Sequence, residues 1–75
     1  YLAVNLSTLQ GIAEKTNVSK IGVQELIDAG FAKESDLIKI LGNGELKSKI
    51  HVEANAFSKS AEAAIKAVGG NATII

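Results

Sequence analysis

Apolar positions along this chain recur with two different periods, and the changes between them mark out its elements. Leu2 to Leu6 is a short, largely apolar run that reads as a strand. Ser7 and Gln10 then have the spacing of a capping box. Leu9, Ile12 and Ala13 fall on one face behind it, predicting a helix to about Thr16. Gly11 weakens that helix, and Asn17 can end it in a left-handed conformation. Val23, Leu26 and Ile27 form a second helical face. Gly30 is placed to stop this helix, with Phe31 folding back on Leu26 in a Schellman motif. Lys33 to Asp36 is polar and reads as a loop, Leu37 to Leu41 as a strand, and Gly42-Asn43-Gly44 as a tight hairpin turn.

From Leu46 the period falls to two. Leu46, Ile50, Val52 and Ala54 share one parity, while Lys47, Lys49, His51, Glu53 and Asn55 share the other, which predicts a half-buried strand. Helical spacing returns with Phe57, Ala61, Ala64, Ile65 and Val68, and Ser58 is the N-cap. Glu62 and Lys66 pair on the outer face at i, i+4. Gly69-Gly70 stops the helix, and Ala72 to Ile75 forms a terminal strand. The expected core is Val52, Ala54, Phe57, Ala61, Ile65 and Val68, with Leu26, Ile27, Ile38 and Ile40 beside them. No linker or repeat divides residues 1–75, so the pattern describes one α/β domain.

Composition narrows the functional classes. With 47% hydrophobic and 21% charged residues the chain is not of the disordered class. No apolar run approaches the length of a membrane span. Cysteine is absent, which removes disulfides and thiolate metal sites. Eight lysines balance eight acids and arginine is absent, which argues against a self-sufficient nucleic-acid binder. The chain also lacks methionine and is therefore expected to be a processed product or a piece of a longer one.

Chemistry finds little to work with. His51 is the only histidine, and no cluster of ligands accompanies it. Ser58 and Ser60 have no sequence-visible base, and Glu25 and Asp28 read as a solvated face. Gly42-Asn43-Gly44 continues into Glu45-Leu46, which fits neither a dinucleotide fingerprint nor a P-loop. No enzymatic activity, metal or cofactor is expected.

Residues 11–28 have the spacing of a helix-turn-helix, with small Ala13, a turn at Asn17, and apolar Val18, Val23 and Ile27. As a DNA-binding module this segment would offer Gln24, Glu25 and Asp28, with Lys20 its only base-side cation and Gly22 inside the recognition helix. It predicts continuous helix from Ser19 to Ala29. A stand-alone protein-interaction module is the other alternative.

A longer pattern points elsewhere. Lys39-Ile40-Leu41-Gly42-Asn43-Gly44-Glu45-Leu46, then Ile50-His51-Val52, then Phe57 through Gly70, resembles the signature of the large-subunit ribosomal protein L-fifteen family. The resemblance covers residues 39–70, and the first half is compatible with the same family. It implies the family's C-terminal globular domain: a small irregular ββα-type α/β fold with three helices and short strands, shared with the L-eighteen-e family. It further implies that a basic N-terminal extension is missing here. The implied role is a structural constituent of the large ribosomal subunit in the cytoplasm. Its partners would be large-subunit (23S-type) rRNA and neighbouring large-subunit proteins, with no membrane and no small-molecule substrate. The resemblance also predicts an extended Lys20-Ile21 before a helix starting near Gly22.

With rRNA against the domain, the candidate contact residues are Ser58, Lys59 and Ser60, where free amides and the helix dipole suit a phosphate. Lys47 and Lys49, on the polar face of the preceding strand, complete the set. Such contacts position a nucleic acid rather than read its sequence.

Overall fold

A computed structural model describes residues 1–75. Odd-numbered strands form one sheet and even-numbered strands another. β1 (Leu2–Asn5), β3 (Ile38–Leu41) and β5 (Ala56–Phe57) lie in the order β1-β3-β5. β2 (Lys20–Ile21), β4 (His51–Ala54) and β6 (Asn71–Ile74) lie in the order β2-β4-β6. Every pairing is parallel. Parallel neighbours cannot be joined by a tight turn, so the chain must leave each sheet and return one strand over. The result is a coil in which the two sheets alternate, with α1 (Leu6–Thr16), α2 (Val23–Asp28) and α3 (Lys59–Ala67) in the connections. This is the irregular α/β arrangement of three helices and short strands that the sequence predicts.

Register lines up the apolar rungs. Val4 sits opposite Ile40 and Ile40 opposite Phe57 in the first sheet; Ile21, Val52 and Ala72 share a rung of the second. The helices add Leu6, Leu9, Ile12, Leu26, Ala61 and Ile65 to the same core. No polar or charged side chain is buried.

Local signals end the helices where the sequence places them. Asn17 adopts φ 56° and donates its amide to Ala13 O at 2.9 Å. Gly30 sits at φ +86°, and both Schellman bonds form: Phe31 N to Leu26 O at 2.9 Å and Gly30 N to Ile27 O at 3.0 Å. Ser58 caps α3 by accepting from Ala61 N at 3.2 Å.

Several expectations are corrected. The N-cap of α1 is Asn5, because β1 runs straight into the helix, so the Ser7–Gln10 capping box does not form. Gly42-Asn43-Gly44 is not a hairpin turn: β3 and β4 belong to different sheets. The glycines serve close approach instead. A Cβ on Gly42 would lie 2.7 Å from Ser60 Cβ, and one on Gly44 would lie 2.6 Å from Ser7 Cβ. The segment thus threads between the first turns of α1 and α3.

The strand expected from Leu46 onward shrinks to His51–Ala54, although Leu46 and Ile50 are still buried. Alternation there reflects two apolar anchors in irregular chain rather than ladder pairing. Phe57 belongs to β5, not to the helix face, and is only half-buried, as are Val68 and Ile27. Phe31 itself is 50% exposed. Leu37 lies outside β3 and is exposed.

The helix-turn-helix reading fails on the same geometry. Lys20-Ile21 is a strand, paired with His51-Val52, and α2 begins only at Val23. Ile21 is fully buried in that pairing, and extended Gly22 (φ −119°) interrupts any helix from Ser19 to Ala29. Extended Lys20-Ile21 ahead of a helix is what the ribosomal resemblance predicts.

Candidate nucleic-acid interface

The candidate residues occupy two places. Ser58, Lys59 and Ser60 form the first turn of α3, where the chain leaves β5. The Ser58 hydroxyl is committed to capping Ala61 N and lies 3.3 Å from Ser60 Oγ. The amides of Lys59 and Ser60 are the donors this helix end leaves without intrahelical partners. Lys59 and Ser60 are exposed, and Lys59 has no carboxylate within 4.0 Å. Gly42 packs against Ser60 and Ala61 N, which sets one wall of this end.

Lys47 and Lys49 are elsewhere. They sit in the irregular segment before β4, not on a strand face, and both are exposed. The Lys49 stem runs beside Gly69, with Cδ 3.6 Å from where a Cβ there would be, just past the last turn of α3. The nine residues of α3 therefore separate the Lys49 stem from Ser58–Ser60, a span of about 13 Å at the helical rise. Lys47 Nζ lies 3.8 Å from Glu45 Oε2, with both side chains mostly exposed. Such a pair is weak and leaves the lysine open to a stronger anion.

One side chain at this surface has a role the sequence assigns differently. Gln10, expected to cap α1, reaches across to residues 47 and 48. Its Oε1 accepts from Lys47 N at 2.8 Å and from Ser48 N at 3.0 Å. Its Nε2 donates to Ser48 Oγ at 3.1 Å and to Glu14 Oε1 at 3.0 Å. Partners 37 and 38 residues away leave no trace in local spacing.

Charge is otherwise spread thinly. Lys20 pairs with Glu53 at 3.4 Å and Lys66 with Glu62 at 2.9 Å. Lys15, Lys33 and Lys39 have no carboxylate within 4.0 Å. His51 is exposed, with its Nδ1 3.1 Å from Asn71 Nδ2. No three His, Cys, Asp or Glu side chains converge as a metal site would require, and no helix is long and apolar enough to cross a membrane.

Relatives place the chain in a family. Residues 3–73 match the family model described as covering ribosomal proteins 50S-L15 and 50S-L18e together with a 60S counterpart. The chain belongs to this ribosomal-protein family. It is 58% identical to the large ribosomal subunit protein uL15 of Phocaeicola vulgatus, over 96% of this chain and 49% of that protein. Identity to uL15 of Parabacteroides distasonis is 59%, over 93% of this chain and 47% of that one. For uL15 of Amoebophilus asiaticus it is 47%, over the whole of this chain and 49% of that one. The chain thus spans about half the length of these uL15 relatives. Agreement runs through both halves of the fold, well beyond residues 39–70, and it leaves neither the helix-turn-helix nor the stand-alone module with support.

Proposed function

We propose that this domain is a non-catalytic constituent of the large ribosomal subunit, holding 23S-type rRNA through its sugar-phosphate backbone. Membership of the family, with relatives named large ribosomal subunit protein uL15, carries the reading. The surface chemistry agrees with it. Lys59 with two amides lacking intrahelical partners at the start of α3, and exposed Lys47 and Lys49 in the segment before β4, offer cations and N–H donors to phosphates. Neither group contains an arginine fork, so these contacts position RNA rather than read its bases.

Neutral net charge sets the expected strength. Only a few phosphates can be neutralised, so binding by this domain is weak and falls with added salt. Neighbouring large-subunit proteins supply the remaining contacts, and the place of action is the cytoplasmic ribosome. Membership of a ribosomal-protein family, with relatives named large ribosomal subunit protein uL15, supports a structural rather than enzymatic role.

Co-sedimentation with transcribed large-subunit rRNA, against small-subunit rRNA of matched concentration and salt, tests this reading. Preferential sedimentation with large-subunit rRNA is expected. Equal or no association with both would remove the proposed partner.

A further inference from the structure

The segment from Glu45 to Ile50 has no helix or strand of its own, yet it is held at both ends and in the middle. Leu46 and Ile50 are buried in the core at 8% and 1% exposure. Between them the backbone amides of Lys47 and Ser48 both point at one acceptor, Gln10 Oε1. Glu14 and the Ser48 hydroxyl take the other end of the Gln10 side chain, which fixes which way its amide faces. The stem of Lys49 lies along Gly69. Lys47 and Lys49 are therefore the two outward positions of a loop whose inward positions are anchored.

We propose that Gln10 is a positioning residue for RNA binding: it pre-organises the 46–50 loop so that Lys47 and Lys49 meet the RNA backbone together. This rests on the proposed rRNA contact of those lysines. A short loop without ladder pairing would otherwise sample many conformations, and ordering it on binding would subtract from affinity. The hydrogen bonds of one side chain remove that cost before RNA arrives. Gln10 touches no ligand itself; it acts through the two lysines.

Gln10→Met keeps the side-chain length and removes every polar contact, which makes it the test. Amide exchange at Lys47 and Ser48 should accelerate while that of core Val52 stays slow. Affinity for transcribed large-subunit rRNA should fall by about 3- to 10-fold, the scale of leaving one or two rotamer-rich side chains unordered. The salt slope should stay at the parent value, because both cations remain and still reach their phosphates. Lys47→Ala/Lys49→Ala should instead lower affinity and slope together, and adding Gln10→Met to that pair should cost nothing further.

Three results would overturn the proposal, each differently. Parent-like affinity of Gln10→Met, with the lysine pair still defective, would mean that the loop needs no holding. Equal losses from Gln10→Met in both backgrounds would make Gln10 a general structural residue. Parent-like binding by Lys47→Ala/Lys49→Ala would remove the lysines from the interface and this inference with them, while leaving an rRNA contact through α3 standing.

Discussion

Gly70→Ala should be among the most damaging single-methyl additions in this domain. Gly70 is buried where α3 hands the chain to β6. A Cβ there would overlap the Ile50 carbonyl oxygen, and would lie 3.1 Å from Ile50 C and 3.2 Å from Ile65 O. These are backbone atoms, so no side chain can swing away. Relief requires β6 to separate from β4 or the last turn of α3 to open. The bonds at stake are Asn71 N to Ile50 O at 3.3 Å and Gly70 N to Ile65 O at 3.0 Å. Overpacking costs about 1–3 kcal/mol, and each strained backbone bond adds about 1 kcal/mol. Reduced freedom of the unfolded chain returns about 0.4–1 kcal/mol. A net loss of about 2–4 kcal/mol remains, against a total stability of about 4–11 kcal/mol for a chain of this length. The thermal midpoint should drop by about 10–30 °C, since each kcal/mol moves a domain of this size about 4–8 °C.

Gly11→Ala is the internal control. The same methyl group is added, but Gly11 lies within α1 and nothing is within 4 Å of the new Cβ. Helix propensity should then raise stability by about 0.5–1 kcal/mol. Circular dichroism melts of the two variants, run beside the parent, should diverge in opposite directions. Gly70→Ala melting at or above the parent would refute the close junction between α3, β4 and β6.

Burial separates two further substitutions. Ile65→Ala should cost about 2–5 kcal/mol, because Ile65 is completely buried, whereas half-buried Phe57→Ala should cost less; urea melts that reverse the order would place Phe57 in the core. Asn17→Gly should gain stability in the same melts, by up to about 1–2 kcal/mol, because glycine takes the left-handed region without the Cβ penalty, while Asn17→Ala keeps that penalty and should not gain. Added salt should barely move the midpoint, since all three ion pairs are at the surface; a large drop would show that they matter more than their exposure implies.

What the sequence made legible was mostly local. Asn17, Gly30 and Ser58 announce helix ends through chemistry confined to one turn, and all three act there. Parity from Leu46 to Ala54 correctly separated the buried from the more exposed positions, even though only the last four residues form a strand. Gly42-Asn43-Gly44 was misleading because a glycine pair looks alike whether it tightens a hairpin or lets the backbone pass two helix ends. Which of these holds is decided by Ser7 and Ser60, residues far away in sequence. Gln10 shows the same limit: its spacing from Ser7 suits a cap, but β1 runs directly into α1 and frees its amide for Lys47 and Ser48. Lys47, Lys49 and Lys59 were legible as exposed cations; the separation of Lys49, beside Gly69 past the end of α3, from Lys59 at its start was not.

Salt-dependent binding of a Lys47→Ala/Lys49→Ala/Lys59→Ala variant to transcribed large-subunit rRNA tests the proposed backbone contact most directly. Each lysine that meets a phosphate should take about one unit from the slope of log affinity against log salt when removed. The variant should bind more weakly at low salt, with a slope shallower by up to about three units, and should melt like the parent. Affinity and slope both equal to those of the parent would place the RNA on another face of the domain and contradict the proposed contact surface.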